Sequence, residues 1–410
     1  MFSPVEWQEL LCDKLYRTMI SPTATKTPKI LIVGSRLSGG GAENHTRLLA
    51  KHLFGGSAKA ALFQTSRDDA SEFEQQFDLG WRGSLSNPRV VYRLARLLRR
   101  EPFDALISLG FYPNTFSCIA ANTLRRRPAL LMMEITRPHT ASLQTTKVRH
   151  ILTHAARRLT YPLADLALAN SDDGLDEVVR HYGVPRDRIR RVPNIVEPDT
   201  LESLAREDVH VVRDSGSFSI CVVARLDPVK RIDTIIEATA GLPRDLPCFV
   251  DILGDGPEKE KLQALVAKRK LEGRVCFHGW SRNPCPLIRR ANALVLTSEL
   301  EGFSNTVLEA LVLGTPVVTS FCSSDARAMV VGGAALGFPV GDHGALSAQL
   351  MRLFNEPELR RTLGEAARRF AEQHCVPDAL QAYEDFIREA ICRREHSHQS
   401  DESVFRPRAH

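Results

Sequence analysis

Between residues 293 and 319 the chain reads as a strand, an acidic loop, a helix and a second strand, and this order narrows the folds open to it. Ala293 to Thr297 is a short apolar run of strand length, and Val317, Val318 and Thr319 form another. Val307, Leu308, Leu311 and Val312 recur at spacings of one, three and four, which predicts a helix between the two strands. Gly314, Thr315 and Pro316 stop that helix. Glu301 stands in the loop and Glu309 on the helix, eight residues later, with the polar turn Gly302-Phe303-Ser304-Asn305 between them. The pattern puts a carboxylate and the free N–H groups of a helix N-terminus at the C-terminal edge of a parallel sheet. Helix N-termini attract anions, and such edges are where open α/β sheets bind ligands.

The same alternation runs through the rest of the chain. Lys29 to Val33 reads as a buried strand, Gly34 to Ala42 as a loop and Glu43 to Phe54 as a helix. Phe103 to Ser108, Ala129 to Glu134 and Leu163 to Ala169 read as further strands, and Asp172 to His181 as a helix. A second series starts near Phe218. Strands alternating with helices predict parallel, doubly wound sheets, and 410 residues are enough for two domains, each with its own core. A composition of 43% apolar and 25% charged residues is that of a soluble globular protein. The longest apolar candidate, Leu106 to Leu124, is broken by Pro113, Asn114, Ser117 and Asn122, so no spanning helix is expected. The N-terminus lacks a charged, apolar, small-residue signal pattern, which argues against secretion. The nine cysteines include no C-x-x-C pair and read as free thiols in a reducing cytosol.

Charge is unevenly spread. Residues 1–200 hold 28 Lys and Arg against 20 Asp and Glu, and residues 201–410 hold 26 against 29. The basic half is therefore the one expected to meet an anionic partner. Asn87 to Arg100 reads as a helix on which Arg89, Arg93, Arg96 and Arg100 share one face, while Val90, Val91, Leu94, Leu97 and Leu98 supply the buried side. That face is open to two readings: a solvated surface, or a contact with anionic lipid or a pyrophosphate-bearing acceptor. Four arginines without interleaved acids repel one another unless something offsets them, and Arg125, Arg126 and Arg127 add to the patch. Within residues 1–28, Trp7, Leu10, Leu11, Leu15 and Ile20 form a partial stripe that suits a helix on the first domain or one lying on a membrane.

Smaller motifs carry the chemistry. Gly39, Gly40 and Gly41 let backbone approach a ligand closely, although their spacing is not G-x-G-x-x-G. Arg225 and Lys230 flank a turn containing Pro228, and a guanidinium fork and an ammonium both suit phosphate oxygens. Five stretches occur in order over residues 29–390: SGGGAE from Ser38, Val192-Pro193-Asn194, VVARLDPVKRID from Val222, ILGDGP from Ile252 and VCFHG from Val275. Together with the stretch around Glu301 and Glu309, they resemble the retaining glycosyltransferases of family 4 (glycosyl transferases group 1), whose signature is two glutamates with seven residues between them.

The resemblance implies an α/β protein of the GT-B fold, with two Rossmann-like doubly wound parallel-sheet domains facing each other across a cleft. The expected boundaries are an N-terminal extension at 1–28, an acceptor domain at 29–200, a linker at 201–217 and a donor domain at 218–375. A helix at 376–393 is expected to return to the first domain, followed by a disordered polar tail at 394–410. The implied activity is transfer of a hexose-type sugar, with retention, from a nucleotide-diphosphate sugar to a glycan or lipid-linked glycan in bacterial surface polysaccharide biosynthesis. UDP is preferred over GDP only on the family's frequency.

Residue roles follow from the same resemblance. Arg225 and Lys230 would hold the diphosphate, and Gly40 and Gly41 would lie near it and the reacting sugar. Gly254 and Gly256 would line the base pocket. Phe303, Ser304, Asn305 and Thr306 would present backbone N–H groups, Glu309 would accept from the ribose hydroxyls, and Glu301 would orient the donor sugar. Glu134, Arg137 and His139 would face the acceptor, and His278 would end a strand on the cleft side. Asp104 stands where the family often has an acid. No cofactor or metal is expected, and no D-x-D motif stands in a loop suited to a metal. The expected partners are the nucleotide-sugar donor, the acceptor and an anionic membrane surface, with no nucleic acid. The expected place is the cytoplasm, at the inner face of the cytoplasmic membrane. Two other readings of the chain are a sugar-nucleotide epimerase of related fold and a degenerate transferase acting as a scaffold. The first is disfavoured by the Arg225, Lys230, Glu301 and Glu309 pattern. The second would be expected to have lost one of those groups.

Overall fold

The computed structural model describes residues 27–35, 41–63, 76–80, 88–137, 146–208, 216–374 and 378–404. The first domain runs β1 (Ile30–Gly34), α1 (Gly41–His52), β2 (Lys59–Leu62), β3 (Gln76–Asp78), α2 (Pro88–Arg100), β4 (Ala105–Leu109), α3 (Phe111–Asn122), β5 (Ala129–Glu134), α4 (Lys147–Thr160), β6 (Leu166–Ala169), α5 (Asp172–Tyr182) and β7 (Ile189–Arg191). Its seven strands are all parallel, in the order β3-β2-β1-β4-β5-β6-β7. β1 is buried along its whole length, as a parallel strand covered on both faces must be. Ile30 and Ile32 enter one core and Leu31 and Val33 the other, which is the period-two alternation of a strand. Helices α2 and α3, with Val178 and Tyr182 of α5, fill the second of these cores, and α1 fills the first.

After α6 (Pro198–Leu204) the second domain runs β8 (Phe218–Val223), α7 (Ile232–Ala240), β9 (Cys248–Leu253), α8 (Lys259–Arg269), β10 (Val275–Gly279), α9 (Cys285–Arg290), β11 (Ala293–Leu296), α10 (Asn305–Leu313), β12 (Val317–Ser320), α11 (Ser324–Val331), β13 (Ala335–Phe338), α12 (His343–Asn355) and α13 (Pro357–Ala371). Six parallel strands lie in the order β10-β9-β8-β11-β12-β13. Chain order reverses between β1 and β4 in the first sheet and between β8 and β11 in the second. These gaps are the switch points at which open α/β sheets form a crevice.

The two domains are joined more than once. The segment expected as a linker begins inside α6, and Val196 and Ala205 are buried in the second domain's core. The last helix, α14 (Asp378–Val404), lies against the first domain: Ala379, Leu380, Tyr383, Ile387 and Ala390 complete the core beside α1. The Tyr383 hydroxyl donates to the Pro193 carbonyl at 2.9 Å and accepts from His45 at 2.9 Å. Burial holds that imidazole down at about 4, so it is neutral at physiological pH. Helix continues to Val404, past residue 394 where polar composition predicts disorder. Extending a helix already fixed by packing costs far less than starting one, and Arg393 bonds back to Glu389 at 2.8 Å. The stripe predicted within residues 1–28 falls on residues that, apart from the last two, lie outside the described ones.

Candidate active site

The second sheet's switch point brings two expected residues together. The turn after β8 carries Lys230, and the loop after the neighbouring strand β11 carries Glu301. Lys230 Nζ lies 2.6 Å from Glu301 Oε1, and Ser298 Oγ donates to the same oxygen at 2.7 Å. Both side chains are mostly buried. The loops are laced by backbone as well: Glu299 N–H donates to the Val229 carbonyl at 2.8 Å, and Thr297 Oγ1 to the Lys230 carbonyl at 2.7 Å. Arg225 is placed differently. Its side chain is 76% exposed and pairs with Asp227, two residues away.

Helix α10 starts beside this pair. Ser304 is its N-cap, and its side chain accepts from Val307 N–H. The N–H groups of Asn305 and Thr306, in the first turn, have no carbonyl within the helix to bond to, so the helix end offers donors and a partial positive charge to an anion. Gly314, at φ +72°, closes the other end in the left-handed conformation. Glu309 is half-buried and makes no hydrogen bond or ion pair among the described residues. Burial pushes its carboxyl up to about 7.

The glycine turn lies against the segment before Lys230. Gly254 has φ +145°, and a Cβ there would sit 1.8 Å from the Ala224 carbonyl oxygen. A Cβ on Gly256 would sit 2.6 Å from the Leu226 carbonyl oxygen. Leu226 N–H bonds to the Asp255 carbonyl at 3.0 Å, and Glu258 N–H to the Leu226 carbonyl at 2.9 Å. What these glycines do in the structure is let two loops touch backbone to backbone.

Across the cleft, three asparagines form a relay. Asn170 Nδ2 donates to Asn194 Oδ1 at 2.8 Å, and Asn194 Nδ2 donates to Asn305 Oδ1 at 2.7 Å and to the Phe303 carbonyl at 3.1 Å. Two glycines also come close to the facing domain. A Cβ on Gly41 would lie 2.4 Å from Asn305 Nδ2, and one on Gly302 would lie 2.8 Å from the Ile135 carbonyl oxygen. At the cleft's side, Arg191 pairs with Asp172 at 2.9 Å and with Asp325 of the second domain, while Ser324 N–H donates to Asp173 at 2.7 Å. Burial, with Asp172 and Asp173 nearby, lifts Asp325 to about 6 despite Arg191. Sequence reading missed this network. Asparagines at strand ends look like turn formers, and only their positions at three C-terminal strand or loop ends hinted at more.

The expectation for Glu134 is corrected. It is buried beneath the cleft and accepts a short hydrogen bond from the Tyr161 hydroxyl, with Arg157 Nε 3.9 Å away. Desolvation raises its pKa, opposed by Arg157, Tyr161 and Asn114. Arg137 is bonded to Glu177 at 3.1 Å. Asp104 accepts from Lys29 N–H at 2.7 Å, at the N-terminal edge of the sheet and away from the cleft. His139 and Gly40 lie outside the described residues. His278 bonds to Asp251 at 2.7 Å, and with Cys276 these two form the group of metal-type donors found among the described residues, all within 4.8 Å of one another. They stand on β9 and β10, whereas Lys230 and Glu301 come from the loops after β8 and β11.

Comparison with known proteins bears on the family and the fold. The family model described as "Glycosyltransferase Family 4" matches residues 39–200, and "Glycosyl transferases group 1" matches residues 206–370. An N-acetylgalactosamine-N,N'-diacetylbacillosaminyl-diphospho-undecaprenol 4-alpha-N-acetylgalactosaminyltransferase of Campylobacter jejuni is 28% identical over 59% of this chain, which spans 64% of that relative's length. The lipopolysaccharide 1,6-galactosyltransferase of Salmonella typhimurium is 27% identical over 74% of this chain and 82% of its own. The crystal structure of Anabaena HepE with UDP and glucose superposes with a TM-score of 0.73 at 19% identity, over 89% of this chain and 99% of the other. The two switch-point crevices facing each other, and the two family models side by side along the sequence, make one assignment: this chain belongs to the group 1, family 4 glycosyltransferases, and its fold is GT-B.

Proposed function

We propose that the protein transfers a hexose-type sugar, with retention and without a metal, from a nucleotide-diphosphate sugar to a glycan or lipid-linked glycan of a bacterial surface polysaccharide. The observation that carries this reading is the meeting of Lys230, Glu301 and the N-terminus of α10 at the second sheet's switch point. UDP is the favoured nucleotide. HepE, of like fold, has been crystallised with UDP and glucose. A lipid-linked acceptor is suggested by the diphospho-undecaprenol in the Campylobacter relative's name.

Breaking the donor's anomeric bond leaves negative charge on the diphosphate and positive character on the sugar. Lys230 meets the first, together with the N–H groups of Asn305 and Thr306, which are already oriented and need no reorganisation as charge develops. Arg225, exposed on the turn, swings from Asp227 to a phosphate. Glu301, held by Ser298 and Lys230, orients the sugar and faces its positive carbon. Glu309, uncommitted and desolvated, accepts from the ribose hydroxyls. A donor phosphate oxygen takes the acceptor's proton. The asparagine relay and the close approach at Gly41 and Gly302 keep the domains shut, and shutting out water limits donor hydrolysis. The protein works at the inner face of the cytoplasmic membrane, where such acceptors lie, with its arginine-rich α2 toward anionic lipid.

Metal-free thermal denaturation against UDP-, GDP- and ADP-sugars tests the reading, repeated with Lys230→Ala. A ligand of the folded state raises the midpoint. One nucleotide should do so, and the variant should lose the effect. A flat response to all three would sink the donor assignment.

A further inference from the structure

β10 is the outer strand at one side of the second sheet and pairs with β9. Its side chains divide with the period of a strand. Val275 and Phe277 turn toward the core shared with β8 and β9, so Cys276 and His278 turn to the opposite face. On β9 the same division sends Val250 and Ile252 into that core and Asp251 to the opposite face. The ladder sets Asp251 directly beside Cys276. One carboxylate, one thiol and one imidazole therefore share one patch of the sheet.

The strand is adjusted at this point. Phe277 pairs with Ile252 and Gly279 with Leu253, so His278 is an extra residue, a bulge. Gly279 completes it at φ +73°, a conformation that glycine takes without strain. Bulges re-aim side chains, and here the imidazole is held back over Asp251, its Nε2 2.7 Å from Oδ1. The donor atoms of Asp251, Cys276 and His278 all lie within 4.8 Å of one another. The carboxylate is buried, whereas Cys276 and His278 are exposed. An ion reaches the group directly from solvent, and water can complete its coordination.

An ion pair alone explains less. A buried carboxylate needs a partner, and His278 supplies one, but a thiol beside that pair is a weak donor that adds little. As thiolate, carboxylate and neutral imidazole, the three groups carry two negative charges, which a divalent cation balances. Sulfur, nitrogen and oxygen in one set are donors that zinc accepts, while a hard ion such as Mg2+ prefers oxygen throughout. Zinc bonds of about 2.0–2.3 Å put tetrahedral ligands about 3.3–3.6 Å apart. Side-chain torsion reaches that spacing, because the ladder already sets the three backbones side by side.

We propose that Asp251, Cys276 and His278 bind one zinc ion, with water in the fourth position. The thiol proton passes to solvent, and the imidazole presents a nitrogen lone pair to the ion with its proton on the other ring nitrogen. The ion staples the outer strand to β9. It also steadies the glycine turn, since the Gly279 carbonyl accepts from Gly254 N–H at 2.7 Å. The ion takes no part in sugar transfer, and the site does not rest on the transferase reading.

The test uses the full chain, stripped of metal by a chelator and titrated with Co2+ as a spectroscopic probe. The parent should develop a sulfur-to-cobalt charge-transfer band that saturates at one equivalent. Zn2+ should abolish the band and millimolar Mg2+ should not. Cys276→Ser should lose it. Competition with a chromophoric chelator should show zinc binding at least about 100-fold weaker in Cys276→Ser and in His278→Gln, as much as the largest outer-shell effects or more. Zinc should raise the parent's melting midpoint and leave both variants unmoved. Both substituted residues are exposed, and metal-free midpoints equal to the parent's report that the variants are folded. The proposal is overturned if the parent shows no band, or if band and affinity survive Cys276→Ser, which would place the metal on another of the nine cysteines. Zinc affinity unchanged in His278→Gln overturns it too, since the metal would then be held by an exposed thiol without the rest of the set. Nucleotide-sugar stabilisation of the metal-stripped parent tests the transferase reading separately, and its failure would leave the zinc site standing.

Discussion

Lys230 and Glu301 are bonded to each other, ammonium to carboxylate at 2.6 Å, across the gap where the chain order of the second sheet reverses. The cation proposed for the departing diphosphate and the carboxylate proposed for the sugar therefore set each other's position. Lys230→Ala removes a positive charge from the proposed leaving group and leaves Glu301 with Ser298 as its remaining bonded partner among the described residues. Steady-state kinetics should show kcat/KM lower by about 10²–10³. Lys230→Arg should recover only part, because a planar fork does not reproduce a compact ammonium. Normal turnover in the alanine variant would remove Lys230 from the mechanism.

Glu309 gives a pH signature. Its carboxyl sits at about 7 in the fold against 4.5 for the ordinary group, and burial is the cause. Between those values the unfolded chain releases the proton first, so this group lowers stability as pH rises and its full cost is reached above 7. Glu309→Gln removes the cost. Its melting midpoint should match the parent's near about pH 4 and exceed it by on the order of 1–3 kcal/mol of stability above neutrality. The same variant should bind donor about tenfold more weakly, since a carboxylate accepts more strongly than an amide. A stability difference independent of pH would contradict the assignment.

Asn194 holds both domains through one side chain. Asn194→Ala strips donors from Asn305 and the Phe303 carbonyl and an acceptor from Asn170. Leaving buried polar groups unpaired costs about 1–3 kcal/mol, which urea denaturation will read. Small-angle scattering of the variant should show a larger radius of gyration, as the cleft opens. An unchanged radius would mean that the remaining contacts close the domains alone.

Two glycines of the second domain should behave oppositely. Gly254→Ala forces a Cβ to 1.8 Å from a carbonyl oxygen at a φ that L-residues avoid, so a loss of more than about 3 kcal/mol, or failure to fold, is expected. Gly273 has ordinary φ and nothing within 4 Å of a built Cβ. Gly273→Ala should be neutral or slightly stabilising. Equal effects in a denaturant titration would refute the packing role given to Gly254.

These contrasts also show what the chain's letters reveal. The period of Val307, Leu308, Leu311 and Val312, the stop at Gly314 and the apolar runs on either side of α10 were enough for the parallel sheet, because each strand is covered on both faces and so reads as unbroken apolar sequence. Lys230 and Glu301 were legible as site residues but not as partners. Their contact depends on β8 and β11 being neighbours, a pairing between residues 71 apart. The bonds of Asn194 to Asn170 and Asn305 stayed hidden for the same reason. The orientation of helix α4 was hidden in another way. The exposed stripe at Val148, Ile151, Leu152, Ala155 and Leu159 has the spacing of any core-facing helix, and spacing does not say which side faces inward. The inward side is decided by Arg157, Thr153 and Thr160, all buried, which a hydrophobic pattern would place in water.

The position of α14 has a consequence for how the chain is made. Ala379, Leu380, Tyr383, Ile387 and Ala390 fill one face of a sheet whose first strand was synthesised some 350 residues earlier. A ribosome releases the first domain's strands long before it releases α14, so until α14 has emerged the part of that face it fills is uncovered, shielded by a chaperone or loosely packed. The first domain therefore completes this core only after the second domain has been made, unlike the N-terminal domain of many tandem-domain chains. A nascent chain stalled before residue 378 should hold a protease-resistant second domain and a first domain that is still cleaved.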